Sequence, residues 1–126
     1  MKWSRAHWVV GLLALIIFPL SGLYMLKFAA VPALDGVSRL IFRSRHLFLM
    51  LTAVANLALA GSNPTGLARK LASVLILISP PLLLASFFID PRRGVSSSAI
   101  FHLAMYGLFA AGVLLAVINR SSLRRG

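Results

Sequence analysis

Four stretches of this chain are apolar for long enough to cross a bilayer, and 126 residues leave no room to bury all four inside one water-soluble core. A membrane-spanning helix needs about 20 mostly apolar residues, rising ~1.5 Å each. Residues 8–26, 71–89 and 98–118 meet that requirement directly. The second stretch is shorter, because residues 47–60 supply only fourteen positions. That is ~21 Å of a hydrocarbon core about 30 Å thick. It must extend, and residues 46–62 are the expected span, with Pro64 as its stop because the residue before a proline disfavours the α region. The expected fold is therefore all-α, an integral-membrane four-helix bundle over residues 1–126, threaded up-down-up-down by short loops.

Charge supports the same reading. Thirteen Lys and Arg stand against two acidic residues, for a net charge of +11. The cations sit in short clusters between the apolar runs, with no long basic face and no interleaved stacking aromatics, so nucleic acid is not the expected partner. Cations at span ends reach towards head groups and meet anionic lipid. There is no cysteine, which excludes disulfides and thiolate metal ligands. The start, MKWSRAHWVVGLLALIIFPL, has the basic-then-apolar order of a signal peptide. The apolar run continues to Leu26 without a clean small-residue cleavage site, and an uncleaved first span is expected.

With four spans both termini lie on one side. That side carries Lys2, Arg5, Arg69, Lys70, Arg120, Arg124 and Arg125, seven cations, and the other carries Lys27, Arg39, Arg43, Arg45, Arg92 and Arg93, which is six. The positive-inside rule is nearly balanced by this count and tips towards cytoplasmic termini. A chain with so little bias also suits insertion in both orientations. A composition rich in Ala, Leu and Arg is compatible with a bacterial inner membrane.

Within residues 37–46, Val37, Leu40 and Ile41 share one helical face, and Arg39, Arg43 and His46 share another. This pattern predicts a short amphipathic helix in the interface before the second span, capped by Asp35 or Ser38, with Arg39, Arg43 and Arg45 on lipid phosphates.

Candidate chemistry is sparse. His46 and His102 open spans two and four at similar depth, the placement a bis-histidine haem b needs. The plain alternative makes them amphipathic residues at the interface, as it does His7. Asp35 and Asp90 stand in Asp-Gly and Asp-Pro turn dipeptides, and no acid is expected inside a span. Asp90, Ser96–Ser98 and His102 include the residue types of a nucleophile, base and orienter, but no nucleophile elbow accompanies them. No catalytic residue and no metal site is assigned.

The span interiors carry more. Asn56 is the one carboxamide in mid-span, one turn after Thr52. Pro80 and Pro81 lack the N–H groups that would serve the carbonyls of Ile76 and Leu77. Asn56 and Ile76 lie at nearly equal depth, so Asn56 is expected to donate to the span-three backbone, either as interhelical glue or as part of a site on a broken helix. A small-residue stripe at Ala104, Gly107 and Ala111, with Gly112 beside it, lets another helix approach span four closely.

Two families share the size and span count. Small multidrug transporters carry an essential glutamate in span one, and residues 8–26 hold no acid. Asn56 with Pro80-Pro81 superficially resembles the small fluoride channels, whose glycine-rich segment around the asparagine is replaced here by TAVANLALAG. No family follows. The expected function is non-enzymatic, an accessory subunit packing on other membrane helices, as a homodimer or in a larger complex, and on anionic lipid. The alternatives are a dual-topology channel or carrier centred on Asn56 and a haem b electron carrier using His46 and His102.

Overall fold

The computed structural model describes residues 3–93 and 98–123. Four long helices make up almost all of it: α1 (Trp3–Lys27), α2 (Gly36–Leu59), α3 (Leu67–Arg93) and α4 (Ala99–Leu123), with one 3-10 turn at Val31–Ala33. Each of the four is long and apolar enough to cross a membrane.

The helices return along one another in chain order. Ser4 donates to the Ala60 carbonyl, His7 meets Asn56, and Phe18 stacks on His46, so α1 lies against α2 from end to start. Asn56 meets Ile76 and Arg45 meets Asp90, which sets α2 against α3 in the same way. Ser79 reaches Ala104 and Arg69 reaches Asn119, which does so for α3 and α4. Closure is where the expected bundle fails. Among the described residues the backbones of α1 and α4 do not approach closely, and the helices form an open, folded row with α2 and α3 in the middle.

The buried seams explain the row. On α1 the buried positions include His7, Gly11, Ala14 and Ser21, spaced four, three and seven residues apart along one face. A side chain at Gly11 would press on α2, since a Cβ there would lie 2.8 Å from Leu57 Cγ and 3.0 Å from its backbone nitrogen. Small residues let backbones approach where lipid gives no hydrophobic drive between helices. The α2 seam runs Ile41, Arg45, Leu49, Thr52, Asn56, and the α3 seam Ser73, Ile76, Ser79, Leu83, Ser86, Asp90. Polar side chains thus face protein, as the cost of exposing them to hydrocarbon requires.

Two expectations for the local structure need correction. Gly36–Leu59 is a single helix, so the basic segment continues directly into span two without forming a separate interfacial element. Asp35 starts it, its carboxylate accepting from the Ser38 backbone N–H at 2.7 Å and from the Ser38 hydroxyl at 2.8 Å. Likewise α3 runs unbroken through Pro80, Pro81 and Pro91 to Arg93, which carries Asp90 inside a helix and out of the expected turn. Between α1 and α2 the chain reverses through Ala30, which holds a left-handed φ of 45°, followed by Pro32.

Candidate functional site

Two buried polar clusters tie the helices together near opposite ends of the row. The first joins α2, α3 and α4. Arg45 donates to Asp90 Oδ2 from Nε at 3.2 Å and from a terminal nitrogen at 2.8 Å. Both side chains are sealed, at 2% and 1% exposure. The Ser98 hydroxyl donates to the same oxygen at 2.8 Å while accepting from the Phe101 backbone N–H at 3.1 Å. Ser98 therefore caps α4 and holds that cap to the end of α3. The Arg45 guanidinium lies 3.8 Å from the Phe101 ring centroid, a cation–π contact, and Arg45 also donates to Ser44 Oγ at 3.0 Å.

Arg45 is therefore no lipid-facing cation. Its position in α2 is two residues from the exposed Arg43, and in a helix that rotates it about 200°, onto the seam. Of the other two expected head-group residues, Arg39 is half-buried and donates to the Leu34 carbonyl at 2.8 Å, pinning the loop before α2, and Arg43 is exposed. Asp90, read as a loop acid, is the buried partner.

The second cluster joins α1, α2 and α3. Asn56 Nδ2 donates to the Thr52 carbonyl at 2.9 Å and to the Ile76 carbonyl at 3.1 Å. The second bond is the one expected from the depth of Asn56 and the missing N–H of Pro80. With both amide hydrogens donated, Oδ1 accepts, and it does so from His7 Nδ1 at 2.9 Å. His7 Nδ1 consequently carries a proton, and the side chain is fully buried, with Nε2 lacking a protein partner among the described residues. The sequence reading put His7 at the interface. The overlooked signal was Gly11, one turn on along the same face, which marks where α1 presses closest to α2.

The histidines named for haem lie differently. His46 Nδ1 bonds Ser21 Oγ at 2.9 Å, and its ring stacks on Phe18 with centroids 4.1 Å apart. It rests on α1, whose backbone does not approach α4 closely. His102 stacks on Tyr106 of its own helix at 5.4 Å. The two rings therefore pack in different settings. Ser96 and Ser97, part of the catalytic combination considered from the sequence, lie outside the described residues, as do Lys2, Arg124 and Arg125. Ser98 and Asp90 do meet, inside the ion-pair cluster.

Around the double proline, Ser79 Oγ donates to the Leu75 carbonyl at 2.6 Å and lies 3.3 Å from the Ala104 carbonyl. Pro80 and Pro81 line an apolar groove of about 250 Å³ with Val10, Leu13, Ala14 and Ile17 of α1. Thr52 turns its hydroxyl back to Leu49 O at 2.9 Å. On α4, Ala104 and Ala111 are buried in the contact with α3, and a Cβ added at Gly107 would meet Leu75 at an ordinary 3.5 Å. No protein-family model, curated protein or solved structure matches the chain.

Proposed function

We propose that this is a small multi-pass membrane protein without chemistry of its own, an accessory subunit that packs on other membrane helices and on anionic lipid. The observation that carries the reading is the Asn56 cluster. Both donors and the acceptor of this one mid-span carboxamide are engaged by protein groups. Asn56 lines neither of the large apolar grooves between the helices. Its polarity serves helix association, which weakens the channel or carrier reading built on the same residue.

The open row gives the subunit its lateral face. In a closed bundle α1 would pack against α4. Here the side of α1 bearing Leu13 and Ile16 is exposed beside the groove floored by Pro80 and Pro81. A partner helix seated there completes the packing that α4 does not provide. Arg43, exposed at the far end of α2, meets lipid phosphates. The reading threads the chain up-down-up-down through a bacterial inner membrane, with both termini cytoplasmic.

A photo-crosslinking residue at Leu13, activated in native membranes, tests the partner. A discrete protein adduct is expected, and native mass spectrometry should give the matching stoichiometric complex. Lipid adducts alone, from a protein that purifies as a lone monomer, would overturn the reading. Orientation is separately accessible because the chain has no cysteine. Gly36→Cys should react with an impermeant maleimide applied outside intact inner-membrane vesicles of right-side-out orientation, and Ser62→Cys should not.

A further inference from the structure

Between α2 and α4, over Ile76 of α3, lies a larger apolar groove of about 530 Å³. Its deepest lining residues are the buried Ile76 of α3 and Leu108 of α4, with the small residues Ala55 and Ala58 of α2 and Gly112 and Ala116 of α4 around them. Its flanks, Leu51, Phe109 and Val113, are substantially exposed, so it opens sideways into the hydrocarbon. At one end it meets a polar notch of about 140 Å³ that includes Arg69, Asn63, Ser62 and Asn119. Leu59 and Leu115 line both, which makes notch and groove one continuous depression.

The notch is built for an anion. Arg69 approaches Asn119 Oδ1 at only 3.5 Å, and among the described residues this long contact is the one hydrogen bond shown for its guanidinium. A planar fork of five donors with one weak contact is suited to a phosphate. The two acids of the chain, Asp35 and Asp90, both stand at the other end of the helices, where Asp35 opens α2 and Asp90 pairs with Arg45. Among the described residues no acidic side chain therefore stands at the Arg69 end. A cationic notch at the water end of the helices, running into an apolar trough between them, matches one kind of molecule.

We propose that this depression is a specific site for an anionic phospholipid, with its phosphate on Arg69 and an acyl chain along the trough between α2 and α4. The site is separate from the Arg43 region and from the partner face on α1, and it does not rest on the accessory reading. Gly112 supplies an unusually clean test, because a Cβ added there meets nothing within 4 Å. Gly112 lines the trough, so Gly112→Phe adds bulk there from a position whose Cβ meets no neighbour.

The experiment exchanges the purified protein into micelles holding equal phosphatidylglycerol and phosphatidylcholine and counts retained lipid by native mass spectrometry. Wild type should keep one lipid, favouring phosphatidylglycerol about fivefold, the preference one cation near the surface confers. Arg69→Gln should bring the two lipids to parity, and Gly112→Phe should lose the retained lipid altogether. Arg92→Gln, exposed near the C-terminal end of α3, should change neither. Equal retention of both lipids by wild type, or retention in both variants matching wild type, overturns the proposal. So does a change in oligomeric mass in Gly112→Phe with lipid retention intact, which would make the trough a contact between proteins. Circular dichroism and elution volume confirm folding of each variant, and Arg69→Gln, a change at a half-buried position on the notch, remains informative if the phenylalanine variant misfolds.

Discussion

Removing the Asp90 carboxylate leaves the Arg45 guanidinium sealed beneath Phe101 without its counter-charge. Breaking a buried pair from one side typically costs about 3–5 kcal/mol, whereas replacing both partners with apolar residues is often neutral. Asp90→Ala should therefore destabilise the protein by ~3–5 kcal/mol in mixed-micelle unfolding, and Arg45→Met with Asp90→Leu should recover most of the loss. Equal damage from the single and double variants would mean that packing, and not the unpaired charge, sets the cost. At Asn56 the stakes are smaller. Asn56→Ala frees the Ile76 carbonyl and the His7 N–H, and about 1–2 kcal/mol is expected by the same measurement. The contrast has a readable cause. Asn56 could be paired with Ile76 from the sequence because a missing proline N–H and helical depth are both local quantities. Arg45 could not be told from Arg43 in that way, since both flank the same span and only the rotation of α2 against α3 separates them. His46 extends the point: held on α1 by Ser21 and Phe18, it should give no Soret band in protein from haem-supplied cells. A sharp reduced α band would restore it and His102 as axial ligands.

At the scale of the helices, close approach is set by α1 and α2. Gly11→Ala would drive a methyl to 2.8 Å from Leu57 Cγ and against the Leu57 backbone, whereas Gly107→Ala meets Leu75 Cδ2 at 3.5 Å. Gly11→Ala should lower the unfolding midpoint clearly, and Gly107→Ala should leave it unchanged or raise it through helix propensity. The reverse order would show that α1 is free to shift outward. The small residues of α4 were legible as a stripe, and those of α1 were not, because His7 and Ser21 interrupt the pattern with polar side chains. The start of α2 adds a pH-dependent element. Hydrogen bonds from the Ser38 backbone N–H, then its hydroxyl, hold the Asp35 carboxyl below its usual range. With the folded value lowered, the cap's contribution is fully present above the unfolded value and is lost as pH falls through the folded one. Amide exchange across residues 36–39 should rise relative to the Asp35→Asn variant over that acid window. An unchanged difference between the two proteins would remove Asp35 from the account.

For the whole molecule the decisive feature is that the backbones of α1 and α4 do not approach closely. Four helices in an open row present two lateral depressions, one over the double proline and one between α2 and α4. Polar residues are gathered on the seams in the middle of the row. The crosslinking and lipid-retention experiments address the two faces independently.

Helix number, the all-α class and the membrane habitat follow from the sequence by itself, because about 20 consecutive apolar residues satisfy both the backbone and the bilayer wherever they occur. The Asn56–Ile76 bond follows too, from depth along the two helices. Tertiary structure alone decided which arginine is buried, that Asp90 belongs to a helix, that His7 joins Asn56, and that the row stays open. Each of these depends on how a helix is turned about its axis and which neighbour it meets. A four-span chain with short loops permits several such arrangements, and only long-range contacts select among them.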